Sequence, residues 1–219
     1  MRVGIICEGQ TDYPVLRAVI AAVCRDPGIV IVPLCPDSDR LHYPATGPLA
    51  SGWQAVRAFL QTSGDFLAIG TFDLVVVQVD ADVLPKLSAQ LLALPEDPPG
   101  GLDALCRHIK GWAREALPAH VVVVLPRSAS EAWLLAAHTK VKRVEEIEDP
   151  AEELVQRDLL QRAKDGSVRK SSATYRQLAE ALADLSVDER RLEELPELAR
   201  FVGKVLEVQK VVKGAKKGR

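Results

Sequence analysis

Residues 2–12, Arg-Val-Gly-Ile-Ile-Cys-Glu-Gly-Gln-Thr-Asp, join a short apolar run to an acidic turn. The apolar part, 2–7, is rich in β-branched side chains and predicts a buried β-strand. The turn at 8–10 begins with Glu8, and apolar side chains then recur at helical spacing over 11–25. The pattern predicts a strand, a turn that carries an acidic residue, and a helix.

Three further apolar runs, at 29–34, 74–79 and 120–125, extend this pattern along the chain. Each run is continuous rather than alternating, which predicts a strand that is buried on both faces. Such strands are typical of a parallel sheet between two layers of helices. The sequence therefore predicts an α/β fold with a parallel four-stranded sheet between helices.

The rest of the chain has amphipathic stretches that predict helices, and no further strand follows Pro126. We therefore expect an α/β domain over 1–140 and a helical C-terminal extension over 141–219. The predicted helices that follow the first one cover residues 53–61, 102–117, 128–138, 152–163, 174–185 and 188–208.

Composition excludes some classes of protein. The chain has 219 residues, of which 47% are hydrophobic, and a formal net charge of -2. This composition is unlike that of a disordered chain or of a protein that coats nucleic acid through overall basicity. The charge is uneven, because residues 204–219 contain six basic residues and one acidic residue. This basic tail is either a disordered nucleic-acid-binding segment or a solvated terminus.

The spacing of the cysteines and the hydropathy of the chain indicate the cellular compartment in which the protein is expected. None of the four cysteines forms a C-x-x-C pair, which argues against a structural zinc site. The apolar run at 3–7 is too short for a signal peptide, and no run reaches the ~18 residues of a membrane span. We therefore expect a cytoplasmic protein that does not enter the membrane.

Acidic residues follow two of the predicted strands. Glu8 comes after the first strand, and Asp80 and Asp82 come after the third. Ligands bind beyond the carboxyl ends of the strands in an open parallel sheet, so these carboxylates are expected to converge if the two strands are neighbours. Oxygen ligands of this kind select Mg²⁺ or Mn²⁺. The alternative explanation is that acids at strand ends only border loops and cap helices.

Two motifs and their order resemble a known family. The sequence EGQTD at 8–12 after the first strand and DAD at 80–82 after the third resemble the Toprim domain, the Rossmann-like catalytic fold of topoisomerases, primases and OLD-type nucleases. The stretch PRSASEAWLLA at 126–136 is similar to a segment of small bacterial Toprim-like proteins of unassigned function, which are suspected of roles in defence against foreign DNA. The resemblance covers roughly residues 1–140.

The Toprim resemblance implies roles for particular residues. Glu8 is expected to act as a general acid/base or metal ligand, and Asp80 and Asp82 to hold a divalent metal, Mg²⁺ or Mn²⁺. Asp12 is a further acidic neighbour and is expected to belong to the same metal site. This chemistry suits phosphodiester cleavage, because metal ions neutralise the phosphate and activate water while a carboxylate moves the proton.

Glu131 has two interpretations. The sequence Ser128-Ala-Ser-Glu131 has the S-x-x-E form of a capping box at the start of a helix, which would explain Glu131 by structure alone. The functional interpretation places Glu131 at the carboxyl edge of the sheet, where it would face the metal and take part in catalysis. Both roles are compatible.

Basic residues near 166 are candidates for contacts with a substrate phosphate. Lys164, Arg169 and Lys170 flank a turn-like sequence, and Lys170 is the preferred contact. A solvated loop is the alternative. The long loop after the second strand supplies further candidates that would line the same crevice; they are Arg40, His42 and Tyr43.

Three functional hypotheses remain open. The first is a metal-dependent nuclease acting on DNA or RNA, in defence or nucleic-acid processing. The second is a catalytically silent module that binds nucleic acid or a protein partner. The third is another magnesium-dependent phosphotransfer or glycosyltransfer enzyme that uses the D-x-D. The sequence contains no G-x-x-x-x-G-K-[ST] phosphate-binding loop, so any ATPase would be a separate partner, and a homodimer is a further expectation.

Overall fold

Four parallel strands form the centre of the protein in a computed structural model that describes residues 1–36, 52–68, 70–83 and 100–217. Their order across the sheet is β2-β1-β3-β4, so β1 and β3 are central neighbours. The predicted parallel four-stranded sheet is therefore confirmed. The strands are β1 (Arg2–Ile6), β2 (Val30–Cys35), β3 (Leu74–Gln78) and β4 (Val121–Val124).

Nine helices are described around this sheet. The region after β4 is helical, as predicted. The helices are α1 (Asp12–Cys24), α2 (Trp53–Ala68), α3 (Gly100–Lys110), α4 (Glu131–His138), α5 (Pro150–Gln156), α6 (Ser172–Ala179), α7 (Leu182–Leu185), α8 (Glu189–Leu192) and α9 (Pro196–Lys217), with short 3₁₀ turns at Ala81–Val83 and Val144–Glu146.

The continuous apolar strands are explained by two hydrophobic cores, one on each face of the sheet. Val76 and Val122 point into the core that contains α1, α4, α6, α7 and α9. Val75 and Val123, their neighbours along the strands, point into the core that contains α2 and α3. Successive side chains of a strand face opposite ways, so both faces must be apolar.

The sequence analysis predicts two regions that meet at residue 140, and the first core contains side chains from both of them. Apolar side chains from α1 and α4 pack in it with those of α6 and α9. The boundary at 140 remains a prediction, but the C-terminal helices cover one face of the sheet. Trp133, Leu134 and Leu135 of α4 are fully buried here. These side chains therefore pack in the core and are not accessible for stacking on the bases of a nucleic acid.

Several predicted helices have different limits in the structure. The helix predicted at 102–117 ends at Lys110, and that predicted at 152–163 lies at Pro150–Gln156. The regions 174–185 and 188–208 each contain two helices. Pro196 explains the second break, because proline is accepted at the first position of a helix but not in its interior.

The basic tail is helical as far as the structure describes it. Helix α9 continues to Lys217, where the sequence allowed a disordered segment. Its apolar contacts with the core include Phe201 and Val205, whereas Lys210 and Lys213 near its end are exposed. In the part of the chain that is described, no helix has the length and apolar character needed to cross a membrane.

Buried Glu145 anchors the start of α9. Its carboxylate accepts hydrogen bonds from the peptide N–H groups of Glu197 and Leu198 at 3.0 Å. It also accepts one from Trp133 Nε1 at 2.8 Å. A negative charge at a helix N-terminus is favourable because the unpaired N–H groups there are partly positive. Glu145 therefore fixes α9 against α4, where Trp133 stacks on Phe201.

We expect Glu145→Ala to destabilise the fold by about 3 kcal/mol, because three buried N–H donors would lose their acceptor. The measurement is the free energy of unfolding from urea denaturation. Glu146→Ala is the matched control: Glu146 is exposed and forms surface ion pairs, so its loss should cost less than about 1 kcal/mol. Equal losses for the two variants would contradict the anchoring role of Glu145.

Candidate functional site

Glu8 and Asp80 meet at the carboxyl ends of the two central strands. The peptide N–H of Asp80 donates to Glu8 Oε1 at 2.8 Å. Because β1 and β3 pair in parallel, their ends lie at the same edge of the sheet, as the sequence analysis required. The structure therefore brings together two of the three residues that are predicted to share a cation.

Gln78, which the sequence analysis missed, ties these two residues together. Its Oε1 accepts from the peptide N–H of Glu8 at 3.2 Å, and its Nε2 donates to Asp80 Oδ1 at 2.6 Å. The side chain of Gln78 is fully buried at the end of β3. A polar residue inside the apolar run at 74–79 was the signal in the sequence, since buried amides are usually hydrogen-bonded.

The turn after β1 is closed by Asp12 at the start of α1. Its Oδ2 accepts from the peptide N–H of Gly9 at 2.9 Å, and its Oδ1 accepts from Ser130 Oγ at 2.6 Å. Asp12 is buried, with 6% of its surface exposed. The second bond joins α1 to the residue before α4, so the carboxyl ends of β1 and β4 share one polar cluster.

Gly52 also binds the turn that follows β1. Its N–H donates to the backbone oxygen of Glu8 at 2.8 Å, and it precedes α2. Its φ of +79° lies in the left-handed region that favours glycine. This contact fixes the backbone that carries Glu8.

Glu131 is bound by Tyr175 of α6 and by Lys170, which precedes that helix, rather than by its own helix. Its Oε1 accepts from Tyr175 OH at 2.7 Å and lies 2.8 Å from Lys170 Nζ. The predicted capping box is wrong: α4 begins at Glu131 itself, and Ser128 Oγ donates to the backbone oxygen of Glu145 instead. Glu131 is 2% exposed, so the ion pair and the phenol compensate its buried charge.

The predicted phosphate contacts fall into two groups. Lys170 lies beside the acidic residues, but its ammonium group is engaged by Glu131. Burial lowers the pKa of Lys170, whereas the charges of Glu131, Asp12 and Asp80 raise it, and the net result is a raised pKa. Lys164 and Arg169 are exposed, and within the described residues neither contacts the acidic residues at the strand ends. Their role as phosphate contacts stays a prediction.

Glu8, Asp12, Asp80, Asp82 and Glu131 are called the acidic cluster below. Burial raises the pKa of Asp80 well above its usual range, and the negative charges of the other four residues add to this effect. Burial is also the main reason why the pKa of Asp12 is raised to about 6, followed by the charge of Glu131. The five residues therefore interact electrostatically as one site, which destabilises their fully ionised form.

The acidic cluster has the donor chemistry that Mg²⁺ and Mn²⁺ prefer, because all its side chains offer carboxylate oxygens. Among the residues that the structure describes, however, no three acidic, histidine or cysteine side chains are grouped so that they could hold a metal ion. Glu8 and Asp80 direct oxygens to N–H donors, and the side chain of Asp82 is exposed on a 3₁₀ turn. The metal therefore stays a prediction.

Three other candidates, Arg40, His42 and Tyr43, lie outside the described residues. Comparisons with models of known protein families, with curated proteins and with solved structures found no match to this chain. The resemblance to Toprim domains therefore rests on the sequence alone, on the motifs EGQTD and DAD and on the stretch at 126–136. In the structure both motifs follow central, adjacent strands of the parallel sheet.

The raised pKa of Asp12 predicts that folding stability falls as the pH rises from about 4 to about 6. In this interval the folded protein holds a proton that the unfolded chain, with an ordinary pKa of 3.8, has released. The contribution of Asp12 amounts to about 3 kcal/mol. Asp12→Asn should remove it, because the amide can accept from Gly9 and donate to Ser130.

The measurement is the free energy of urea unfolding at several pH values across this interval. Asp184→Asn is the control, because Asp184 is exposed on α7, away from the acidic cluster. The profile of Asp184→Asn should follow that of the unmodified protein. If the Asp12→Asn profile also runs parallel to it, Asp12 does not carry the pH dependence.

Proposed function

We propose that this chain is a Toprim-like, divalent-metal-dependent protein that acts on phosphodiester bonds, as a DNA or RNA nuclease in defence or nucleic-acid processing. The observation that carries the proposal is the acidic cluster at the shared carboxyl edge of β1 and β3. There burial, followed by the negative charges of Asp12, Glu8, Glu131 and Asp82, raises the pKa of Asp80. A bound divalent cation would offset the repulsion and favour the ionised form of Asp80.

The residues of the acidic cluster would have distinct roles. Glu8, Asp12, Asp80 and Asp82 would hold Mg²⁺ or Mn²⁺. When bound, such an ion neutralises phosphate charge and makes a coordinated water more acidic. Glu8 is oriented by the Asp80 N–H, so it is the residue placed to move a proton. Gln78 is a positioning residue, because it holds both the Glu8 backbone and the Asp80 carboxylate.

Glu131 would act beside these residues through its charge. Its contacts with Lys170 and Tyr175 hold it in place, next to Asp12 and Asp80. In this proposal Lys170 neutralises Glu131 as well as approaching a substrate phosphate. Removal of the Lys170 charge would therefore disturb the acidic cluster even without substrate.

The proposed partners are nucleic acid as substrate, a second copy of the chain and a separate ATPase. A cytoplasmic location belongs to the same proposal. All four cysteines, Cys7, Cys24, Cys35 and Cys106, are free thiols. Unpaired cysteines are typical of a reducing compartment, where thiols stay reduced.

Purified protein is expected to nick plasmid DNA or cleave RNA when Mg²⁺ or Mn²⁺ is present and to stop when EDTA is added. Asp80→Asn and Glu8→Gln should lower the cleavage rate by about 100-fold or more, because each removes a charge from the proposed metal site. Asp184→Asn is the matched control and should cleave like the unmodified protein. Gel electrophoresis of the nucleic acid measures the rates.

Metal binding is measured separately, as the rise in thermal unfolding temperature on adding Mn²⁺. The rise should be larger at pH 7.5 than at pH 5, since protons compete for the raised-pKa carboxylates at the lower pH. Metal binding without cleavage of DNA or RNA would favour the silent module. A protein that does not respond to metal at either pH contradicts the shared metal site.

A further inference from the structure

We propose that a groove beside the acidic cluster binds the sugar–phosphate backbone of nucleic acid through Arg17 and Arg176. The inference rests on the proposed function and identifies how its substrate would be held. The groove has a volume of about 670 Å³ and lies between the start of α1, the edge strand β2 and the start of α6. Its lining includes Gln10, Tyr13, Arg17, Pro33, Ser172 and Arg176.

The charge of this groove is positive. Arg17 and Arg176 are both exposed, and none of the lining residues that the structure describes is acidic. Within the described parts of the chain, neither guanidinium forms an ion pair with an acidic side chain. Other arginines differ in this respect: Arg157, which directly follows α5, pairs with Glu153 of that helix. The two groove arginines therefore keep their charges available to an anion.

Tyr13 lies near both arginines of the groove. Its hydroxyl donates to the backbone oxygen of Ile31 in β2 at 3.0 Å, which fixes the ring as a wall. Burial raises the pKa of Tyr13, and the positive charges of Arg17 and Arg176 offset part of this rise. Both guanidinium groups are therefore close enough to act on one phenol, although they come from different helices.

The groove leads directly to the acidic cluster. Gln10 lies two residues after Glu8, and Tyr13 follows Asp12, so one turn forms the end of the groove and the start of the cluster. Ser172 Oγ donates to the backbone oxygen of Gln10 at 3.4 Å and ties α6 to this turn. A chain of phosphates lying on the arginines would thus continue across the carboxylates.

The acids and the arginines supply complementary parts of phosphate binding. Carboxylates repel a phosphate unless a cation lies between them, so the acidic cluster alone would bind a polyanion weakly. Guanidinium groups attract phosphates and form paired hydrogen bonds with them. Lys170 is engaged by Glu131. In the described lining of the groove, Arg17 and Arg176 are therefore the cationic side chains that can bind the phosphates next to the acidic cluster.

The lining also indicates which part of the nucleic acid is contacted. Tyr13 is the single aromatic residue of the described lining, and its ring forms part of the wall. Base stacking normally needs several exposed aromatic side chains. The groove is therefore suited to backbone contacts, which carry no sequence information. We infer that binding is independent of sequence and sensitive to salt.

The test uses the full chain and fluorescein-labelled oligonucleotides of mixed sequence, as a DNA duplex and as single strands of DNA and RNA. Fluorescence anisotropy in EDTA measures binding without cleavage. The double variant Arg17→Ala/Arg176→Ala should bind about tenfold more weakly, and the slope of log affinity against log salt should fall by about one for each arginine. Arg17→Glu/Arg176→Glu should lose more affinity.

Arg190→Ala is the matched control, because Arg190 is an exposed arginine on α8 that does not line the groove. It should bind like the unmodified protein, and all variants should keep its thermal unfolding temperature. Equal affinities for the double variant and Arg190→Ala would overturn the groove as the binding surface. Inorganic phosphate or a mononucleotide that competes as strongly as an oligonucleotide would also overturn it, in favour of a small-anion site.

The same variants separate this inference from the proposed function. Asp80→Asn should bind oligonucleotides in EDTA at least as tightly as the unmodified protein, because it removes a negative charge near the groove. Binding that depends on the arginines, combined with no cleavage in Mg²⁺ or Mn²⁺, supports the groove and contradicts the nuclease. Cleavage by a protein whose affinity is unchanged by both arginine variants supports the nuclease and contradicts the groove.

Discussion

Repulsion among carboxylates at one end of the sheet is the constraint around which the rest of this structure is arranged. Parallel pairing of β1 with β3 brings Glu8 and Asp80 together. Hydrogen-bond donors near these residues offset the repulsion between their carboxylates. Gln78 and the Asp80 N–H hold the first pair, Ser130 holds Asp12, and the C-terminal helices bring Lys170 and Tyr175 to Glu131. The helical region thus completes the polar site as well as one hydrophobic core.

The sheet could be predicted from the sequence because its strands are apolar on both faces. Four continuous runs, such as the valines at 75–77, can be buried between two cores in only a few ways. The helix limits after β4 could not be predicted equally well. They depend on tertiary contacts, such as the carboxylate of Glu145 accepting the first N–H groups of α9, which have no local signature in the sequence.

The part of the candidate site that follows strand ends could be predicted from the sequence, and Lys170 was a candidate because it lies in a basic loop. Glu8 and Asp80 were found because parallel strands present their carboxyl ends together. Tyr175 and Arg176 were not found, since they lie more than 90 residues from Asp80 in sequence and reach the site through the packing of α6. The capping box at Ser128 was predicted from a local S-x-x-E pattern. The prediction failed because such a pattern contains no information about the tertiary partners of Glu131.

Helix α6 carries consecutive residues that serve two different environments. Tyr175 points inwards to Glu131, and Arg176 points outwards to the groove. If a ligand displaced α6 from one side, the contact on the other side would change with it, and by thermodynamic reciprocity the two events would alter each other's affinity. The eight residues from Ser172 to Ala179 thus connect the exposed groove with the buried carboxylate of Glu131.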